Sequence, residues 1–297
     1  MKRFILHDVP DKNGTVRLAG EDYHYLINVR RLAPGERFPA LLPSGDNAVV
    51  RIVSAGGGVL TGECSADDDS GGTDVAAAVA DIAPVILFQA LPKGEKMDII
   101  VRQAAEGGIA EIVPFQSEFS VVKIKGNERG KKRAAPETQT ETETELSGAK
   151  LSRWRRIIKE ARQQSGSRLD TVVRPPMTSD EMFAYWDSLK TGNPGALGIL
   201  FHQAPVEAAL ESGGADTTLA KRSLHGYLDR CPRLVVMAIG PEGGFSSAEV
   251  SRFLEAGFEP LTIGDTVLRT ETAALYAAAA VRIILLERNS WEMKKCR

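Results

Sequence analysis

Hydrophobic spacing changes character along this chain. In EDYHYLINVRRL, Glu21 to Leu32, the residues Tyr25, Leu26, Val29 and Leu32 recur at helical spacing, and Pro34-Gly35 stops the run. Short apolar runs follow, ERFPALL, NAVVRIVSA and GVLTGECS, separated by the turn signals PSGD and GGG. Such runs predict antiparallel strands, so residues 1–75 read as a small β-rich unit with one helix, a barrel or a meander. ADDDSGGTDVAAAVA, 66–80, is acidic and glycine-rich and then alanine-rich, the composition of a linker. From about residue 82 strands alternate with helices. PVILFQAL is a buried strand, and KMDIIVRQAAEGG is a helix with Met97, Ile100, Val101, Ala104 and Ala105 on one side. IAEIVPF is the next strand, LSRWRRIIKEARQQSGS a helix with a glycine stop, and GILFHQ a further strand. LVVMAIGPEGGFSSAEVSRFLEAGF reads as strand, glycine loop and helix; PLTIG, the loop DTVLR and the helix TETAALYAAAAVRIILLE close the chain. This alternation predicts an α/β domain over 82–297 with a mainly parallel sheet. Residues 126–149 are low in complexity and poor in large apolar side chains, so a disordered insertion is expected there. Glu211 to Arg230 is a second weak segment.

Composition adds little beyond class. The chain has 297 residues, 43% hydrophobic and 26% charged, with a formal net charge of −2, ordinary for a globular protein long enough for two domains. Its average charge does not announce a nucleic-acid binder, but acid and base are segregated along the chain. Cys64, Cys231 and Cys296 are far apart and no CxxC pair occurs, so neither a disulfide framework nor a metal site is expected. The opening MKRFILHDVPDK has no long apolar run, and no stretch is long enough to span a bilayer; a cytoplasmic location is expected.

Three segments carry candidate chemistry. Gly240-Pro241-Glu242-Gly243-Gly244 follows an apolar strand and precedes a helix with a capping box, Ser246 with Glu249, closed by Gly257. Glycines at the carboxyl end of a buried strand let a ligand approach the main chain, where open α/β sheets bind; a tight turn without ligand is the plain alternative. The pattern is not GxGxxG, so a nicotinamide dinucleotide fold gains no support. Ile263 to Ala273 again joins a strand to a helix, and Arg269, Thr270 and Glu271 stand at the helix start. An arginine there opposes the helix dipole, which contact with a ligand anion or a developing negative charge would explain. The third segment is the helix Leu151 to Gln164, with Leu151, Trp154, Ile158 and Ala161 on one face and Arg155, Lys159 and Arg162 on another. Arg153, Arg156 and Arg168 add to it. The stripe is either an electrostatic footprint for phosphate or a solvated face. Arg30-Arg31 and Lys93 with Lys96 are further basic clusters.

Together, LPKGEKMD, IVPFQSEFSVVK, IGPEGGFS and IGDTVLRTETAAL resemble the RsmE-type ribosomal RNA methyltransferases of the SPOUT class, and NVRRLAPGE resembles that family's PUA-like barrel. The resemblance implies an N-terminal PUA-like β-barrel and a C-terminal knotted α/β domain. It implies methylation of N3 of a uridine in small-subunit ribosomal RNA, in the assembled or nearly assembled subunit, by a homodimer. S-adenosylmethionine would sit in the knot against Leu200, Phe201, His202, the loop Ile239, Gly240, Pro241, Glu242, Gly243, Gly244, and Ile263, Gly264, Val267, Leu268, Thr270 and Ala273. Removing the N3 proton leaves negative charge on the ring, for which Arg269 is the candidate stabiliser. Glu271, Glu242 or water is left as proton acceptor. Arg30, Arg31, Lys93, Lys96, Arg155, Lys159, Arg162 and Arg168 are the candidate RNA contacts. Two other readings remain: a SPOUT enzyme with another target nucleotide, and a non-catalytic RNA-binding assembly factor, against which the intact cofactor loops argue.

Overall fold

A computed structural model describes residues 3–66, 82–120, 138–203, 223–264 and 266–295, without the side chains of 138–147 and 288–295. The expected linker beyond Ala66, residues 126–137 of the low-complexity stretch and residues 211–222 of the second weak segment lie outside the described residues. The chain divides into two compact units, Met1–Ala76 with Lys159–Asp170, and Ala77–Ile158 with Thr171–Arg297.

In the first unit β1 (Phe4–Ile5), β2 (Thr15–Ala19), β3 (Arg37–Leu41), β4 (Asn47–Gly56) and β5 (Val59–Ala66) form one sheet in the order β1-β3-β4-β5-β2. β1 runs parallel to β3 and the other pairs are antiparallel. Along β4, Ala48, Val50 and Ile52 are buried while Arg51 and Val53 are exposed, the period-two pattern that turns one face of a strand inward. Phe4, Leu18, Leu26, Phe38, Val50 and Leu60 meet in its core. Among the described residues no pairing joins β1 to β2, so the sheet is an open five-stranded path. The helix expected over Glu21–Leu32 is shorter. α1 (Gly20–Tyr23) passes into a wider π-type turn, His24–Val29, and Arg31 has φ +56. Leu32 N then donates back to Leu26 O, which ends the helix before Pro34.

The second unit holds β6 (Val85–Ala90), α2 (Lys96–Glu106), β7 (Glu111–Gln116), β8 (Val172–Val173), β9 (Met177–Thr178) and α4 (Ser179–Gly192). α3 (Thr138–Ser165) precedes β8, and its last turns count with the first unit. β10 (Ala196–His202), α5 (Leu224–Leu228), β11 (Leu234–Ile239), α6 (Ser247–Glu255), β12 (Phe258–Thr262) and α7 (Thr270–Lys295) complete it. The strands run β12-β10-β11-β6-β7-β8, with β9 also on β7, and every pair is parallel. β6 and β11 are buried at every position, as strands covered on both faces must be. Gly198 on β10 faces Phe258 on β12; a Cβ there would lie 2.8 Å from the ring, so only glycine admits this aromatic. Phe258 joins Phe115, Phe183, Trp186, Phe245 and Phe253 in the main core.

The disordered insertion expected over 126–149 is corrected in its second half, because α3 already begins at Thr138. Lengthening a nucleated helix fixes one residue per hydrogen bond gained, and glutamate and leucine are good helix formers. Composition describes the cost of ordering a segment alone; it misses the helix that this segment extends.

Candidate functional site

The carboxyl ends of β10 and β11 and the loop after β12 enclose a cleft of about 570 Å³, its open mouth included. Its walls are Phe201, His202, Ile239, Gly240, Pro241, Glu242, Gly244, Ile263, Leu268, Thr270 and Ala273, all expected, with Thr266 of the expected loop Ile263 to Leu268, and Gln203 and Phe245, which were not expected. Parallel strands end their apolar runs on one side of the sheet, and the backbone groups beyond them are left for loops or ligands to satisfy.

Four expected members do not line it. Leu200 is wholly buried in the core, because adjacent strand positions face opposite sides of the sheet and Phe201 takes the cleft side. Gly264 and Val267 are exposed, Val267 by 71%. Gly243 turns away: a Cβ on it would meet the Phe119 side chain at 3.1 Å. Gly240 and Gly244 do make the close approach. A Cβ on Gly240 would lie 3.1 Å from the carbonyl carbon of Gly244, and Gly244 itself has φ +70. Gly244 N donates to Pro241 O at 3.0 Å to close the turn. The capping box at α6 forms as expected, with Glu249 N donating to Ser246 Oγ at 3.2 Å and Ser246 N to Glu249 Oε2 at 3.0 Å. Glu249 also accepts from Glu118 N at 2.9 Å, which ties the loop after β7 to the start of α6.

Thr270 begins α7 and is buried. Its hydroxyl donates to Gly240 O at 2.7 Å and accepts from Gln89 Nε2 at 3.0 Å. Gln89 is the residue that sequence reading missed; its signal was a single amide in the apolar run PVILFQAL.

Charged groups gather beside the cleft. Lys96, the first residue of α2, places its ammonium 2.7 Å from Glu242 Oε1 and 3.6 Å from Glu271 Oε2. A cation at a helix N-terminus opposes the dipole, and the two carboxylates offset that. Lys93 N also donates to Glu242, at 3.2 and 3.3 Å. Burial works against the charge on Glu242, but the Lys96 ammonium and these N–H donors prevail and hold its carboxyl below the usual range. The hydrogen bond to Glu242, only partly opposed by desolvation, raises the Lys96 ammonium above its ordinary value. Glu271 keeps a buried Oε2 with no hydrogen-bond donor. Arg269 is exposed and has no side-chain partner among the described residues.

The basic positions fare unevenly. Lys96 is engaged by two carboxylates, so it stands as an internal tie beside the cleft. Lys93 has an exposed side chain. Arg155 is exposed on α3, and Arg153 pairs with Asp98 at 2.5 Å. In the first unit Arg162 is buried and paired with Asp170 at 2.5 Å, which removes it from an outward stripe. Lys159 is half-buried, 3.7 Å from Asp22 and 2.9 Å from His7 Nε2. Helical spacing put these residues on one face but could not say what packs on that face. Arg30 is half-buried, and Arg31 and Arg168 are exposed.

Comparison with known proteins agrees with this architecture. The family described as RNA methyltransferase domain matches residues 80–142 and 134–282. The ribosomal RNA small subunit methyltransferase E of Synechocystis is 28% identical over 277 residues, 91% of this chain and 74% of that protein. Its Bacillus subtilis counterpart is 25% identical over 283 residues, 90% and 89% of the two chains. The crystal structure of a ribosomal RNA small subunit methyltransferase E from Neisseria gonorrhoeae, bound to S-adenosyl methionine, superposes with a TM-score of 0.66 at 23% identity, over 96% of this chain and 98% of that one. Its likeness is one of fold. With the domain match spanning most of the second unit, the chain belongs to the RNA methyltransferase domain family and is of RsmE type.

Proposed function

We propose that the chain transfers a methyl group from S-adenosylmethionine to N3 of a uridine in small-subunit ribosomal RNA. The carrying observation is the cleft at the ends of β10, β11 and β12. Phe201, Ile239, Ile263, Leu268 and Ala273 suit the faces of a nucleoside, and the main chain of the Gly240–Gly244 turn supplies polar groups for its edge and its amino-acid end. When bound, S-adenosylmethionine supplies an electrophilic methyl group on a sulfonium.

The protein's own work is to position the base and manage one proton. Uridine N3 becomes nucleophilic on losing its proton, and the charge then spreads to the two flanking carbonyl oxygens. Arg269, exposed next to the cleft residues Leu268 and Thr270 and without a side-chain partner among the described residues, would stabilise that charge. Of the two candidate acceptors, Glu242 is held ionised by Lys96 and the Lys93 N–H, which makes it a poor base. Glu271, whose Oε2 faces the same ammonium only at 3.6 Å and accepts no hydrogen bond, is the better one. The five-stranded unit, read as PUA-like, would dock RNA through Arg30 and Arg31, and Arg155 would add a phosphate contact from the second unit. A knotted crossing of the chain is supported by the strand order, since β12 lies outside β10 while α7 returns to pack on β11 and β6. A homodimer is supported by Leu275, Tyr276 and Ile283, which are 42%, 57% and 52% exposed along one side of α7. The assembled small subunit in the cytoplasm is the proposed setting.

Mass-spectrometric mapping of ribosomal RNA nucleosides from cells lacking this protein should show loss of one N3-methyluridine, restored by the wild-type chain. In single turnover at saturating RNA, Arg269→Ala should fall about a hundredfold, the scale of a lost electrostatic stabiliser. Normal methylation in the deletion strain overturns the assignment. Recovery of the wild-type rate at saturating RNA would make Arg269 a binding residue instead.

A further inference from the structure

Gln89 is the one polar position in a strand buried at all six of its residues. Its side chain is wholly out of water, and its Oε1 has no hydrogen-bond partner. Burying an amide with an unsatisfied oxygen is costly, and an apolar residue of similar size would fill the site without that cost. Packing alone does not ask for glutamine here.

Its amide nitrogen gives the reason. Nε2 donates to Ala90 O at 2.9 Å and to Thr270 Oγ1 at 3.0 Å, and the Thr270 hydroxyl donates onward to Gly240 O at 2.7 Å. Gln89 lies beside Ile239 in the sheet register, so the relay crosses from β6, over the end of β11, to the start of α7. It thereby ties three segments that are far apart in sequence. Gly240 and Thr270 both line the cleft, and Arg269 and Glu271 flank Thr270 in the chain.

Resting on the function proposed above, we infer that Gln89 is a positioning residue. Through Thr270 it sets the spacing of the two cleft loops and the stations of Arg269 and Glu271. The hydroxyl of Thr270 can serve both bonds because it accepts one proton and donates another, which valine, its isostere, cannot do. Misplacing reacting groups by about 1 Å is enough to cost on the order of a hundredfold in rate.

The test uses the full chain with Gln89→Met, Thr270→Val, Thr270→Ser and the double variant Gln89→Met/Thr270→Val. Calorimetric titration with S-adenosylmethionine should show about tenfold weaker binding for Gln89→Met and for Thr270→Val, and near wild-type binding for Thr270→Ser. The double variant should be no weaker than the worse single one, because both substitutions break one relay. Single-turnover rates at saturating cofactor and RNA should fall further than binding does, while the melting temperature of Gln89→Met stays near wild type. Without any ligand, amides of Gly240–Gly244 and Arg269–Ala273 should exchange hydrogen faster in Gln89→Met. That arm reads the relay even if the wild-type chain fails to bind the cofactor, a result that would sink the proposed function and not this network. Wild-type affinity, rate and exchange in folded Gln89→Met overturn the inference. If that variant does not fold, Thr270 decides: Thr270→Val as tight and as fast as Thr270→Ser overturns it.

Discussion

The two glycines of the turn after β11 make opposite predictions, although sequence reading treated them alike. Alanine at Gly240 would place its Cβ 3.1 and 3.2 Å from the carbonyl carbon and Cα of Gly244. Carbon pairs are most favourable at about 3.5–4.0 Å, so the overlap is some tenths of an ångström against two main-chain atoms that cannot swing aside. Opening the turn would strain the Gly244 N–H bond to Pro241 O and shift the Gly240 carbonyl that receives Thr270. Overpacking of this kind costs about 1–3 kcal/mol. In a domain of this size that corresponds to a melting temperature lower by roughly 2–10 °C. Because the strain sits in the cleft wall, S-adenosylmethionine affinity should fall at least about tenfold. Alanine at Gly243 would instead meet the Cβ of Phe119 at 3.1 Å; turning the exposed ring does not relieve that contact, but Phe119 lies in the loop after β7 and outside the cleft wall, so a shift of a few tenths of an ångström there leaves the cleft intact. Its expected effects are within about 0.5 kcal/mol in stability and within twofold in affinity. Differential scanning calorimetry and cofactor titration of both variants decide the matter. A Gly240→Ala protein that melts and binds like wild type, beside a Gly243→Ala protein that does neither, would refute the geometry.

Other consequences can be measured independently. Replacing Arg30, Arg31 and Arg155 with glutamine should weaken RNA binding, flatten its log–log salt dependence by about 0.7–0.9 for each phosphate no longer neutralised, and leave cofactor affinity unchanged; an unaltered slope makes these solvated residues only. Burial, with help from the Glu259 carboxylate, pushes the Tyr227 hydroxyl up to about 12 while it donates to Pro260 O at 3.0 Å. Since the unfolded phenol ionises near 10, this group stabilises the fold fully below pH 10, and the contribution is lost as pH rises to about 12. Tyr185 is also raised, by its burial and by Glu111, so ultraviolet titration should show more than one tyrosine resisting ionisation, and Tyr227→Phe should remove the component that titrates at about 12. Leu275→Glu with Ile283→Glu should convert a dimer to a monomer in light scattering, and a wild-type chain that is already monomeric ends that proposal.

Periodicity was a good guide wherever one element decided its own fate. The alternation in β4, the buried runs of β6 and β11 and the inner face of α2 all stand where spacing placed them. The capping box at Ser246 was legible because it is local. An equivalent box, Thr178 with Glu181, opens α4 and was legible on the same grounds, though only Ser246 was singled out. β1 and β8 are two residues long and carry no period at all; they exist only through their partners. Most of the cleft wall followed from the family motifs, while the direction of Gly243 did not, since sequence names a turn without aiming its Cα hydrogens. Arg162 and Lys96 looked like available cations because their partners, Asp170 on a following loop and Glu242 across the sheet, are brought near only by folding. Gln89 was overlooked because its meaning lies in Thr270, a long way down the chain.

The order of strands also bears on how the protein is made. Val85 of β6 pairs with Val235 of β11, 150 positions later. At about 5–20 residues per second, a ribosome needs roughly 8–30 s to deliver that partner after β6 has emerged. During this interval β7 can cover one edge of β6, while the other, flanked by a nearly all-apolar strand, stays open to any chain that offers a matching edge. The nascent protein is therefore most vulnerable to mispairing until β11, Leu234–Ile239, has been synthesised, and chaperones that shield extended apolar segments should raise its soluble yield most when translation is slow.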